Sequence, residues 1–230
     1  NLSRIERYLA LVFDSGCTAV VVLTKADLCD DAAALAQQVQ RLHRDVLVET
    51  LDARDPKQAQ ALADWCRTGQ TATLLGSSGV GKSTLASTLG AGNLKTQPIR
   101  SDDDKGRHTT TARSMHRLTG GGWLIDNPGM RELQLADCEQ GVADLFEDLL
   151  VFAQQCRFRN CSHAGDAGCA VEQAVADGQL DSRRLVNYRK LQSEQKRHSA
   201  TLAERRERGK ANGRMYKRVI SEKRQLRDLR

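Results

Sequence analysis

The sequence predicts an α/β fold, a mostly parallel sheet with helices on both faces, followed by a smaller helical module. Three observations predict it. Short β-branched or apolar runs alternate with helically periodic stretches from residue 5 to residue 89, a glycine-rich segment joins one such run to the next helix, and the last third becomes irregularly helical around a cysteine cluster. Alternating strands and helices close most readily as a parallel sheet covered on two sides.

The elements follow in order. Ile5, Tyr8, Leu9, Val12 and Phe13 recur at helical spacing behind Ser3, a candidate N-cap. Residues 18–23 form a β-branched run that reads as a buried strand, 32–42 as a helix, 46–49 as extended chain, and 56–66 as a helix with Pro56 in its first turn. Residues 71–75 form a strand that runs into Gly76, and 82–89 form the next helix. The polar, charged stretch 96–111 lacks apolar periodicity and reads as a long loop. Segments 114–118 and 123–125, joined by Gly120-Gly121-Gly122, read as a hairpin. After Met130 the pattern is helical but irregular, so we divide the chain into a domain over 1–135 and a C-terminal domain over 136–230.

Composition narrows the class. Aromatics make up only 4% of the chain, so aliphatic residues must do most of the packing. Apolar runs such as Ala19 to Leu23 are far too short to cross a bilayer, and no charged-then-apolar leader opens the sequence. Asn1 is not an initiator Met and the helical pattern starts at once, so an upstream segment is expected. The net charge of +6 conceals an asymmetry: residues 183–230 hold seventeen Lys/Arg against five Asp/Glu, leaving the remainder acidic. A basic tail on an acidic body suits a polyanionic partner such as RNA, or simply a solvated charged helix.

Gly76-Ser77-Ser78-Gly79-Val80-Gly81-Lys82-Ser83 fits the P-loop pattern, with a strand before it and a helix after it. Glycines let consecutive backbone N–H groups turn toward phosphates, and the helix start adds positive potential. Lys82 is expected on the β- and γ-phosphates, Ser83 on magnesium and Thr84 on the α-phosphate. Asp126-Asn127-Pro128-Gly129, 43 residues after Ser83 at a strand end, supplies a magnesium-directed carboxylate and, through the Gly129 N–H, a γ-phosphate sensor. One hydroxyl of Thr109-Thr110-Thr111, taken as Thr110, would complete the magnesium shell.

The base motif is Thr24-Lys25-Ala26-Asp27, directly after the strand at 18–23. The Asp27 carboxylate can accept from the guanine ring N–H and exocyclic amine together. Adenine has no such donor pair and would leave a desolvated charge unpaired. The stem of Lys25 can cover the flat face of the base. This motif precedes the P-loop, whereas the usual order in a GTPase is the reverse. The fold class is therefore a P-loop NTPase with circularly permuted GTPase motifs, binding GTP and GDP, and the segment 126–130 that senses the γ-phosphate leads straight into the C-terminal module.

Cys17, Cys29, Cys66 and Cys138 are scattered and read as small core residues. Cys156, Cys161, His163 and Cys169 instead lie within fourteen residues and supply three thiolates and an imidazole, a closed set for structural zinc. Between two of these ligands, Arg157-Phe158-Arg159 suits an RNA backbone with an exposed base, or equally a surface brace. His43, His116 and His198 show no partnering pattern and read as surface residues, and Asp102-Asp103-Asp104 reads as a solvated run.

The whole set, T-K-A-D, G-S-S-G-V-G-K-S-T, G-R-H-T-T-T, D-N-P-G-M and then C-x4-C-x-H-x5-C, resembles the ribosome small-subunit-dependent GTPase A family (RsgA, also called YjeQ) over essentially the full chain. The resemblance implies a GTP hydrolase of the bacterial cytoplasm that is stimulated by the small ribosomal subunit and assists its late maturation. Its partners would be that subunit and its rRNA, with neither membrane nor DNA, and the chain would act as a monomer. It also implies an N-terminal OB-fold domain and a first GTPase strand upstream of residue 1. Two departures stand out: Thr24 replaces the usual Asn of the base motif, and residues 49–53 match poorly where a Ser-Ala contact to the guanine carbonyl is expected.

Small GTPases often orient the attacking water with a Gln after D-x-x-G, a position that here is Met130. Slow intrinsic hydrolysis is expected, with His108 the local candidate for the missing group unless it is simply an exposed loop histidine. The rival readings are a permuted GTPase serving the large subunit and a zinc-dependent RNA-binding module whose shape GTP switches.

Overall fold

The computed structural model describes residues 1–91, 114–127, 135 and 138–198. Helix α1 (Leu2–Asp14) opens the chain, with the Asn1 side chain accepting from Arg4 N at 3.3 Å, so Asn1 and not Ser3 is the cap. Strands β1 (Val20–Thr24) and β2 (Leu47–Leu51) pair in parallel, Val20 opposite Leu47 and Thr24 opposite Leu51, with α2 (Ala32–Gln40) as the crossover. Helix α3 (Pro56–Ala63) starts on Asp55, whose carboxylate accepts from Lys57 N, and Pro56 occupies the first turn where its missing N–H costs nothing.

Strand β3 (Thr71–Leu74) leads through the glycine-rich loop into α4 (Lys82–Thr88). Strands β4 (Ser114–Arg117) and β5 (Trp123–Asp126) form the expected hairpin. Strand β5 lies in the middle of the sheet, parallel to β3 and antiparallel to β4.

The sheet expectation needs correcting. Among the described residues the strands form two ladders, β1-β2 and β3-β5-β4, and not one continuous sheet. The chain connections explain the directions, since long crossovers give parallel pairs and the tight glycine turn gives the antiparallel one. With β2 as its sole ladder partner among the described residues, β1 is half-buried along its length and not the fully buried strand expected. Side chains bridge the ladders instead: Leu51, Ala53, Ala59, Leu62 and Leu85 form one core, with Val20, Val22 and Leu74 packed against it.

The C-terminal part is helical: α5 (Glu139–Leu145), α6 (Glu147–Ala153), α7 (Ala170–Ala176) and α8 (Ser182–His198). The largest core joins Leu9 and Ala10 of α1 to Val142, Leu145, Phe146, Leu149, Val171 and Leu191, so it draws on residues from both sides of position 135. At its centre α5 crosses α1 at Gly141. A Cβ there would stand 2.0 Å from the Ala10 carbonyl oxygen, so no other residue permits this approach.

A charged lock reinforces the packing. Glu6 is wholly buried and accepts from Arg183 at 2.8 and 3.2 Å, from Arg184 at 3.2 Å and from Asn187 at 2.7 Å. Arg184 is buried too and also donates to the carbonyls of Leu42 and Leu145, while its guanidinium lies 4.8 Å from the Phe146 ring centre. The residue after Glu6, Arg7, forks onto Glu194.

Candidate nucleotide and metal sites

The phosphate loop leaves the C-terminal end of β3 and enters α4 at Gly81, whose φ of +92° only glycine adopts freely. Lys82 turns back over the loop, donating to the carbonyls of Gly76 at 2.9 Å and Ser77 at 2.8 Å. Its ammonium is therefore fixed above the ring of backbone groups, with Ser83 and Thr84 next in the helix. Burial holds the Lys82 pKa below its usual value, and nearby Asp126 partly restores it. Arg4 of α1 donates to Ser77 Oγ at 2.8 Å, so the first helix touches the loop directly.

Asp126 ends β5, opposite Leu74 of β3 and Ser114 of β4. The carboxylate is 2% exposed and one oxygen, Oδ1, has no hydrogen-bond partner. Burial pushes its pKa up, against the opposing pull of Lys82, His116 and a hydrogen bond from Ser83. A buried, half-satisfied carboxylate beside a serine hydroxyl is an oxygen donor set that fits a hard divalent cation. Asn127 donates to Thr73 Oγ1 at 2.7 Å and pins this strand end to β3.

The base motif sits beside the same loop. The Thr24 hydroxyl donates to the Val80 carbonyl at 2.6 Å, so it braces the phosphate loop from the position where the related motif carries Asn. Lys25 takes a left-handed backbone, φ +60°, uncommon for a side chain of that kind, and Asp27 follows in a short 3-10 turn, Ala26–Leu28. A Cβ on Gly81 would lie 3.7 Å from Thr24 and 3.8 Å from Ala53, and Thr88 donates to the Ala53 carbonyl at 2.7 Å. The ends of β1 and β2 and the start of α4 therefore meet around one crevice.

Two residues there escaped the sequence reading. Arg54 donates through Nη2 to Asp27 at 2.7 Å while its Nε and Nη2 grip Asp52. The poor motif match over 49–53 concealed it, although its place just past β2 was a usable signal. Arg4 is the other miss, 73 positions from Ser77 and without any motif. His108, Thr110 and Gly129 lie outside the described residues, as do Met130, the triplet 102–104 and everything after His198.

Cys156, Cys161, His163 and Cys169 come together, with one donor atom from each lying within 4.8 Å of all the others. His163 Nδ1 is 3.6 Å from the Cys156 sulfur and 3.5 Å from that of Cys169. A tetrahedral zinc with ordinary bond lengths separates sulfur and nitrogen by about 3.6 Å. The geometry fits a closed structural zinc site held through Nδ1. His163 adopts φ +54° to reach it, and burial, aided by the charge of Arg189, holds the imidazole below its usual pKa and so in the neutral form a metal needs. Asp166 braces the loop by accepting from the Ser162 N–H and hydroxyl, both at 2.7 Å. Phe158 is exposed beside it, with the Arg157 guanidinium 5.3 Å from its ring centre.

Several assignments made from spacing change. Cys17 is exposed and Cys29 half-buried, since both fall in turns outside the core, whereas Cys66 and Cys138 are buried as expected. His43 is no surface residue: its ring is packed 4.8 Å from that of Phe13 and lies near Glu147. His116 is half-buried and bonds Ser114 at 2.8 Å.

Fold and site together define a P-loop NTPase with its base motif ahead of its phosphate loop and a Cys3His centre behind. The RsgA GTPase family model matches residues 1–136, and the chain belongs to that family. It is 51% identical over 225 residues to the small ribosomal subunit biogenesis GTPase RsgA 2 of Vibrio parahaemolyticus, covering 97% of this chain and 63% of that one. It is 52% identical over 227 residues to the protein of the same name from Vibrio vulnificus, covering 98% and 65%. The chain therefore spans just under two thirds of these relatives. Among solved structures it is similar to YjeQ from Thermotoga maritima (TM-score 0.59, 25% identity, 83% of this chain and 64% of that one). It is also similar to YloQ, described as a circularly permuted GTPase (TM-score 0.58, 26% identity, 85% and 63%). No described helix is long and apolar enough to cross a membrane.

Proposed function

We propose that this chain binds GTP and hydrolyses it on the small ribosomal subunit, assisting late maturation of that particle. The observation that carries the reading is the convergence of Asp27 with the phosphate loop through the Thr24–Val80 hydrogen bond. That contact, three residues before Asp27, supports reading the carboxylate and the phosphate loop as parts of one nucleotide site. The names of the relatives supply the subunit.

In this reading Asp27 accepts from the guanine edge, the Lys25 stem covers the ring, and the backbone N–H groups of residues 76–81 surround the phosphates. Lys82 holds the β- and γ-phosphates and Thr84 reaches the α-phosphate. Ser83 and Asp126 hold magnesium, the unpartnered Asp126 oxygen being the support for it. Magnesium held there would offset charge on a transferring phosphoryl group. Thr110 completes the shell, Gly129 senses the γ-phosphate, and His108 orients water where Met130 has no amide to offer. Ser114, four residues after Thr110 in the sequence, stands opposite Asp126 in the ladder.

The zinc-bearing domain over 136–230, with exposed Phe158 and Arg157, forms the rRNA-facing surface, extended by the basic tail. The chain acts as a monomer in the cytoplasm. The deciding test is steady-state GTP turnover with and without purified small subunits, using Lys82→Ala as the blank. Stimulation of tenfold or more by small subunits is expected. Stimulation by large subunits alone would transfer the protein to the other particle, and bound GTP that persists unhydrolysed with either subunit would make it an RNA-binding switch.

A further inference from the structure

The Asp27 carboxylate does not stand alone in its crevice. Arg54 Nη2 donates to Asp27 Oδ2 at 2.7 Å and to Asp52 Oδ2 at 2.9 Å, while Arg54 Nε donates to Asp52 Oδ1 at 3.0 Å. The Arg54 backbone N–H also donates to Asp52 Oδ1 at 2.9 Å. The guanidinium is thus anchored on Asp52 by its own loop and reaches across to the base motif with one remaining direction of Nη2. Two carboxylates from separate loops lie within two hydrogen-bond lengths of each other, bridged by a single cation.

An ionised carboxylate offers about four lone-pair sites. Arg54 takes one of them on Oδ2, and the guanine ring N–H and exocyclic amine need one on each oxygen. The bridge therefore leaves room for the base. It also solves an electrostatic problem, because Asp52 and Asp27 would otherwise repel each other and swing the recognition carboxylate away. The Asp52 carboxyl is held below its ordinary range, chiefly by its hydrogen bond from the Arg54 side chain, in keeping with a fixed pair.

We infer that Arg54 is a positioning residue for base recognition: anchored on Asp52, it aims the Asp27 carboxylate at the guanine edge and cancels the repulsion between the two acids. The inference rests on the guanine reading above. It fills the place past β2 where no Ser-Ala contact could be assigned. Arg54 is 68% exposed, so its ion pairs add little to folding stability, and its contribution is to the geometry of the crevice.

Equilibrium titration of the whole chain with fluorescently labelled GDP, and competition by ATP, tests this. Arg54→Ala is expected to weaken GDP binding about tenfold, the factor for one charged hydrogen bond. ATP competition should not change, so guanine preference falls by the same factor, while the melting temperature moves by no more than about 2 °C. Adding Asp52→Asn to Arg54→Ala should recover at least threefold of the lost affinity, because the repelling charge is gone. A merely structural arginine gives no such rescue. With guanine preference intact in the unmodified chain, an unchanged GDP affinity in Arg54→Ala, a tighter one, or the absence of rescue by Asp52→Asn each overturns the inference alone. An unmodified chain that does not prefer GDP to ATP overturns the guanine reading and this inference with it.

Discussion

Replacing Glu6 by Ala should destabilise the protein severely, although the residue belongs to neither the candidate nucleotide site nor the metal-binding set. Glu6 is fully buried and accepts four hydrogen bonds, from Arg183, Arg184 and Asn187 of α8. Without it, Arg184 keeps Asp148 and two carbonyls, while Asn187 loses the Glu6 carboxylate it donates to and a carboxyl-sized void opens between α1 and α8. Removing one member of a buried ion pair costs about 3–5 kcal/mol. Because Asp148 still compensates Arg184, the lower end applies, about 3 kcal/mol. At roughly 2–4 °C per kcal/mol for a chain of this size, the melting temperature should fall by about 6–12 °C. Glu6→Gln keeps the shape and one acceptor oxygen and should lose about half as much. Thermal unfolding followed by far-UV circular dichroism, with zinc held constant, reads both variants. A drop below about 2 °C for Glu6→Ala would refute the claim that this acid locks α1 to the C-terminal helices.

Gly141→Ala should cost at least about 3 kcal/mol in urea unfolding, because its Cβ would stand 2.0 Å from the Ala10 carbonyl and backbone must move. The Cys138 thiol gives a pH signature: burial, with a smaller push from Asp14, raises it to about 11. The folded state then favours the neutral thiol, so its contribution is complete below the free-thiol pKa near 9 and is lost as pH climbs from about 9 to about 11. The expected loss is up to about 3 kcal/mol relative to Cys138→Ala, measured by urea midpoints across that window. Removing zinc with a chelator should release about one equivalent of metal per chain, detected colorimetrically, and Cys161→Ser should bind at least tenfold more weakly in the same assay.

What could be read from the residues was whatever a local pattern encodes. The phosphate loop needs glycines at fixed offsets between a strand and a helix, so residues 76–83 announced themselves, as did the Cys3His spacing. Thr24 departs from the usual Asn, and although a hydroxyl can partly substitute for the amide, its partner Val80 is revealed only by the folded approach of β1 to the loop. Long-range pairings were invisible for the same reason. Glu6 and Arg183 are 177 positions apart, and nothing in a helical repeat marks one acidic residue as buried. The division of the strands into two ladders was equally hidden, since alternation predicts strands and crossovers but not which edges bond. His43 was misread because it lies in a loop and its partner, Phe13, comes from α1, thirty positions earlier.

Cys169 has two duties. Its sulfur belongs to the metal-binding set and also accepts from Glu172 N at 3.5 Å, closing the first turn of α7. The next residues of that helix, Val171 and Ala174, are among the least exposed in the protein and press into the core that α1 shares. Helix α1 in turn holds the phosphate loop through Arg4. An oxidant that consumed this one thiol would therefore loosen a helix start, then a hydrophobic centre, then the grip on a nucleotide it never approaches. Under the proposed function, redox damage at residue 169 would register as weaker nucleotide retention.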